Sequence, residues 1–204
     1  SPAHDRPSAI VRIRELPWRN KIAWALALNM ALNSIIFYSS LAWIAPSYEA
    51  RGWTQENAGW LFGLFSAAAV VAAFVLAGLA VRVKHRRSLF TIAIGATLIA
   101  LISIAWLPDF LPWLALLIFG FFLSGTFAMS LGLIGEYSKD SASAARLAAM
   151  TFFITYTVAA AGPLVAGVLL DYFDSWPLVF TILAGVAALQ LLTVLPLRRN
   201  VHVD

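Results

Sequence analysis

"ALNMALNSIIFYSSLAW", residues 27–43, would be at home in oil but for two carboxamides, Asn29 and Asn33, set one helical turn apart. An amide left without a hydrogen bond in an apolar medium costs on the order of 2–7 kcal/mol. Asn29, Asn33, Phe37 and Ser40 recur at i, i+4, i+8 and i+11, which is one face of a helix. That face has to look onto protein, water or a solute, and the rest of the chain decides which.

Hydrophobic residues make up 61% of the 204 and charged residues 12%, with a mean hydropathy of +0.84. An ordinary soluble domain carries roughly 25% charged residues, and a chain of this length cannot hide so much apolar surface in one core. A bilayer is the solvent this composition requires. A spanning helix needs about 20 apolar residues, and such runs fall near 22–44, 58–81, 89–107, 111–134, 147–170 and 178–197. The stretches between them, 46–57, 82–88, 108–112, 135–146 and 171–177, are rich in Pro, Gly, Asp and Ser and suit loops. The fold expected is an all-α membrane protein of six transmembrane helices.

Six spans place both ends of the chain on one side. Of the 14 Lys and Arg only Arg51 then falls on the other side, while Arg6, Arg12, Arg14, Arg19, Lys21, Arg82, Lys84, Arg86, Arg87, Lys139, Arg146, Arg198 and Arg199 share the side of the termini. Short basic loops stay cytoplasmic, so both termini are expected to face the cytoplasm. The net charge of +4 is accounted for by topology, and no nucleic-acid partner is expected. Trp18 and Trp24 fall at the inner boundary; Trp43, Trp53, Trp60, Trp106, Trp113 and Trp176 fall at the outer one, where amphipathic rings anchor spans. Residues 1–20 are no signal peptide and read as a linker or an expression remnant on a processed or truncated start. Residues 21–198 read as the six-helix unit and 199–204 as a cytoplasmic tail. "VLAGLAVR" and "LVAGVLLD", closing the second and fifth spans, align without gaps around Gly78 and Gly167, the relation a three-plus-three inverted repeat would produce.

The stretch "TYTVAAAGPLVAGVLLDYFDSW" carries Tyr156, Ala159, Ala160, Gly162, Pro163, Gly167, Asp171 and Trp176 at fixed spacing. It resembles the eleventh span and following loop of major facilitator superfamily transporters, in particular the cyanate permease and nitroimidazole transporter branch. "NSIIFYSSLAWIAPSYEARGWT", with Asn33, Ser34, Phe37 and Tyr38, resembles the seventh span of that branch, and "GTFAMSLGLIGEYS" its tenth. The resemblance covers almost the whole chain. It implies the carboxyl-terminal half of a twelve-span secondary transporter, with gating or structural roles for Gly162, Pro163, Gly167, Asp171, Gly78, Arg86 and Arg87. "GLAVRVKHRR" departs from the superfamily's loop signature, because Arg82 stands where an Asp is usual and His85 where a Gly is. Asp174 likewise stands where the outer loop usually has Gly, and a turn of different shape is expected there.

Gly162-Pro163 removes a backbone donor and a side chain in mid-span, where a helix can bend if a neighbour re-satisfies the freed carbonyl. Gly59, Gly63 and Gly78 are expected to serve close helix packing. The paired amides exceed what packing needs, so Asn29 and Asn33 are expected to line a cavity with Phe37 and Tyr38. Ser124, Thr151, Thr155 and Tyr156 are candidate partners across it, although small hydroxyls also cap carbonyls of their own helix. Glu136, at a helix end, is expected to be solvated. No Asp, Glu, Lys or Arg lies in the middle of any span, so this unit supplies no intramembrane proton carrier. Any counter-charge for an anion such as cyanate would come from elsewhere, from helix dipoles, or from amide and hydroxyl donors.

An intramembrane serine protease needs a base beside its serine, but His4, His85 and His202 all fall in loops or tails. Aspartyl and metal chemistry lack paired carboxylates or ligand clusters within the spans. With no cysteine, phosphate loop or dinucleotide fingerprint, no enzyme activity, metal or cofactor is expected. The reading is half of a secondary transporter moving a small polar or anionic solute across a bacterial inner membrane by alternating access. Its expected partners are membrane lipid, the solute, and an amino-terminal half or a second copy of the chain. The alternative is a stand-alone six-span unit, acting as a homodimeric carrier or a non-transporting scaffold.

Overall fold

The structure, a computed structural model, describes residues 16–82 and 86–197. Arg6, Arg12, Arg14, Lys84, His85, Arg198 and Arg199 lie outside the described residues, as do most of the expected linker and the tail.

Every regular element among the described residues is helical: α1 (Lys21–Glu49), α2 (Gln55–Arg82), α3 (Arg86–Trp106), α4 (Pro112–Glu136), α5 (Ser141–Ala159), α6 (Ala161–Phe173) and α7 (Trp176–Thr193). The starts are written locally. The Asn20 side chain accepts from the N–H groups of Ile22 and Ala23 at 2.9 and 3.3 Å, Asp140 and Ser143 form a capping box at α5, and Ser175 caps α7. Each satisfies donors that a helix start leaves orphaned. Pro112 and Pro177 sit at first-turn positions, where a missing N–H costs nothing.

Among the described residues, six segments are long and apolar enough to cross a membrane, with α5 and α6 together forming the fifth, Ser141–Phe173. The interruption falls at Ala160, next to the point where Pro163 denies a proton to a carbonyl one turn earlier. The loops are shorter than expected. α1 runs on through Pro46 to Glu49, and Asp171 lies inside α6 rather than in a loop, because a spanning helix tolerates proline when its neighbours take up the freed groups. Asp174 closes α6 at φ 43°, the left-handed conformation that glycine adopts freely.

The principal pairings are α2 with α4, α3 with α7, and α1 with α5. Lipid tails are as apolar as leucine, so close backbone approach has to hold such pairs. Gly120 and Gly125 on α4 supply it for α2: a Cβ at Gly120 would collide with the Phe65 carbonyl, and one at Gly125 with the Leu76 side chain. At Gly59, Gly63 and Gly78, expected to serve packing, a Cβ would meet no other helix within 4 Å among the described residues. The close contact is thus made by glycines of α4 lying against large residues of α2.

The core falls into two apolar clusters. One takes in Ala23 to Ala31 of α1 together with residues of α2, α3, α4 and α5 and with Val194 and Leu197 just past α7; the other takes in Ile36 to Tyr48 with α2, α3, α4 and α7. Asn33 and Ser34 are buried in the gap between them. Large apolar side chains face outward instead, among them Val70 and Phe74 on α2 and Leu164 and Val168 on α6, the inverse of a water-soluble domain.

Candidate solute cavity

Between the two clusters α1, α4 and α5 leave a cavity of about 210 Å³. Asn33, Ser34, Phe37 and Tyr38 line it from α1, Ser124 and Phe127 from α4, and Tyr156 from α5. The spacing of Asn33 and Phe37, four apart, stacks an amide and a ring on one face, and Ser34 and Tyr38 repeat the pattern one position on. Phe37 meets Tyr38 edge to face at 5.6 Å and lies 6.2 Å from Phe65, which continues to Phe119 at 5.2 Å, so an aromatic wall backs the site. Tyr156 stacks on Phe152 at 5.9 Å. Tyr38 and Tyr156 are partly open to the surroundings. Among the described residues no ionisable carboxylate or amine lines the cavity, and the polar lining is one amide and four hydroxyls.

Asn29, expected to share this wall, is placed elsewhere. Its Nδ2 donates to Thr193 Oγ1 at 2.7 Å, its Oδ1 accepts from Ser130 Oγ at 3.1 Å, and its backbone carbonyl accepts from Gln190 Nε2 at 3.2 Å. It is the centre of a knot joining α1, α4 and α7, fully buried and paired on both sides of its amide. Gln190 Nε2 also donates to Asn33 Oδ1 at 3.2 Å, so the knot touches the cavity through Asn33 alone. Gln190, Thr193, Ser130 and Phe127 were missed by the sequence reading. A lone glutamine in the apolar "GVAALQLL" of the last span was the available signal.

Ser40, the last member of the predicted stripe, donates to the Ile36 carbonyl of its own helix, and Thr126 and Ser66 do the same. Thr151 and Thr155 are fully buried on α5, their hydroxyl oxygens without a partner, and do not line the cavity. The Gly162-Pro163 segment belongs to the α1 interface. A Cβ on Gly162 would stand 2.9 Å from Ser39 Oγ and 3.1 Å from the Ile35 carbonyl, and one on Gly167 would stand 3.1 Å from the Trp43 ring. Trp43 Nε1 donates to the Pro163 carbonyl at 3.1 Å. Ile35, Ser39 and Trp43 thus form one α1 ridge lying in the notch that these glycines open.

At the end of the bundle where α3 begins and α4 ends, Arg86 pairs with Glu136 and Arg87 donates to the Leu195 carbonyl, which ties α3 to α4 and to the segment after α7. Glu136, expected to be solvated, is therefore a paired and mostly buried group. Burial pushes the phenol of Tyr137 up, and Arg86 and Arg87 partly offset it.

The family model described as Major Facilitator Superfamily matches residues 5–203. The chain belongs to that superfamily. As a major facilitator protein with six membrane-capable helices, it is a multi-pass membrane protein. It is 33% identical over 170 residues to an uncharacterized transporter, YycB, of Bacillus subtilis, covering 82% of this chain and 42% of the relative. It is 27% identical over 176 residues to the 2-nitroimidazole transporter of Escherichia coli, covering 86% and 44%. To the cyanate transport protein CynX of the same organism it is 29% identical over 147 residues, covering 72% and 38%. This major facilitator chain thus spans about two-fifths of the length of these relatives.

Proposed function

We propose that the chain is one six-helix half of a secondary transporter, carrying a small polar or anionic solute through the cavity bounded by Asn33, Phe37, Tyr38, Ser124 and Tyr156. The observation that carries this reading is a cavity of about 210 Å³ at mid-span, lined by an amide and hydroxyls from three helices of a chain that is 61% hydrophobic. Sites at the bilayer midplane, completed across a repeat interface, are where such transporters hold their solute. Tyr38 and Tyr156, half open on one side of the cavity, leave room for a second half or a second copy to close it.

The spread of Lys and Arg supports placing both ends of the unit in the cytoplasm of a bacterial inner membrane, and alternating access then amounts to rocking of the two halves about the cavity. Cyanate and 2-nitroimidazole, the solutes named for two relatives, are the first to try. The test is uptake of each radiolabelled solute into proteoliposomes holding this chain alone, or this chain with a co-expressed amino-terminal half. Uptake only in the paired preparation is expected, with loss on Asn33→Leu. Uptake by the chain alone would make it a self-sufficient homo-oligomeric carrier, and normal uptake by Asn33→Leu would remove the cavity from the path.

A further inference from the structure

Gln190 lies almost wholly buried on α7 and reaches two residues of α1 at once. Its amide orientation is settled by chemistry. The group 3.2 Å from the Asn29 backbone carbonyl must be the nitrogen, because a carbonyl oxygen only accepts. That same nitrogen stands 3.2 Å from the nearer amide atom of Asn33. Two NH2 groups face to face would repel, so the Asn33 atom there is the oxygen. The Asn33 nitrogen is consequently turned away from Gln190. Among the described residues it donates to no protein acceptor, and it is not one of the sealed, partnerless buried atoms. The cavity that Asn33 lines is what it meets.

We propose that Gln190 is a positioning residue that holds the Asn33 carboxamide with its NH2 toward the cavity, so that the site selects solutes presenting a hydrogen-bond acceptor there. The other polar lining groups, the hydroxyls of Ser34, Tyr38, Ser124 and Tyr156, rotate to donate or to accept. They accommodate either polarity. Asn33 is the one lining group whose polarity is fixed from outside the cavity, so it sets the preference. The solute class is a small, flat molecule, neutral or anionic, with an acceptor oxygen or nitrogen at its polar end and a face that lies against Phe37 and Phe127. This inference rests on the cavity being the solute site.

The test uses two neutral rings of similar size on the purified chain in detergent: pyridine, which only accepts, and pyrrole, whose N–H only donates. Dissociation constants come from ligand-observed NMR, with the signal of Asn33→Leu subtracted to remove partition into the micelle. Wild type is expected to favour pyridine by about tenfold, the effect of one hydrogen bond lost with a donor left unpaired. Gln190→Met frees the Asn33 amide to turn over, and the preference is expected to fall to within about twofold while both rings still bind. Asn33→Asp, which keeps the oxygen that accepts from Gln190 and replaces the cavity-facing NH2 by an acceptor, is expected to lose pyridine at least about tenfold and to keep pyrrole; it stands in if Gln190→Met does not fold. An undiminished pyridine preference in Gln190→Met, or unchanged pyridine affinity in Asn33→Asp, overturns the positioning role and leaves the cavity standing. Absence of wild-type binding above Asn33→Leu for both rings overturns the cavity reading itself.

Discussion

Gly120 of α4 lies so close to the Phe65 carbonyl of α2 that no side-chain carbon fits between them. The obstructing atom is backbone and cannot swing away, so Gly120→Ala has to push the two helices apart. We expect a loss of about 1–3 kcal/mol, the usual effect of overpacking, read as a lower melting temperature of the chain in detergent. Gly59→Ala and Gly63→Ala meet nothing and gain helix propensity of up to about 1 kcal/mol, so they should leave the melt unchanged or raise it. A Gly120→Ala protein as stable as wild type would show that α2 and α4 do not approach as described.

The two amides of α1 should separate by phenotype. Asn29→Leu breaks the knot between α1, α4 and α7 and should destabilise the chain by about 1–2 kcal/mol, with the cavity lining intact. Asn33→Leu loses one bond from Gln190, whose nitrogen keeps the Asn29 carbonyl, so thermal stability should change by less than about 1 kcal/mol while solute uptake by the assembled transporter is abolished. Equal effects of both variants on melting and on uptake would contradict the division.

What the sequence made legible follows from physical range. Span number and type come from apolar runs about as long as the bilayer is thick, and α1 to α7 follow them. Asn33, Phe37 and Tyr38 were readable because an amide in oil demands an explanation and helical spacing says which residues share it. The split between Asn29 and Asn33 was not readable, since it depends on Gln190 and Thr193, more than 150 positions away. The glycines that make the close contact within this chain were not readable for a similar reason. Gly59 and Gly63 form the recognisable motif, but what makes a glycine necessary is the atom opposite it, and for Gly120 that atom is the Phe65 carbonyl on another helix.

The start of α5 carries a pH dependence of known sign. The backbone N–H of Ser143 and then its hydroxyl hold the Asp140 carboxyl below its ordinary 3.8. A carboxyl whose folded value is depressed contributes stability above its unfolded value and loses it as the pH falls through the folded one. Hydrogen-exchange protection of the first turn of α5, at Ser143 and Ala144, should therefore hold from neutral pH down to the usual carboxylate range and fall below it. Asp140→Asn keeps a capping oxygen without the titration, and its protection should be flat across the same range. A wild-type profile as flat as that of the variant would sink the assignment.

The Arg86–Glu136 pair makes the sharpest test of the end of the bundle where α3 begins and α4 ends. Each side chain is only about a quarter exposed, at 23% and 27%, so solvent screening is partial and the pair should matter more than one on an open surface. Glu136→Gln leaves a guanidinium beside a neutral amide, and Arg86→Gln leaves a carboxylate without its cation; each should cost about 1.5–3 kcal/mol, the range for hydrogen bonds to charged groups. The exchange Arg86→Glu with Glu136→Arg restores opposite charges across the same gap, and the double variant should recover a substantial part of what the singles lose. Lost additivity of this kind marks direct contact. If the double variant were instead as unstable as the sum of its parts, α3 and α4 would be held together here by packing around Leu89 and Leu133 and not by charge.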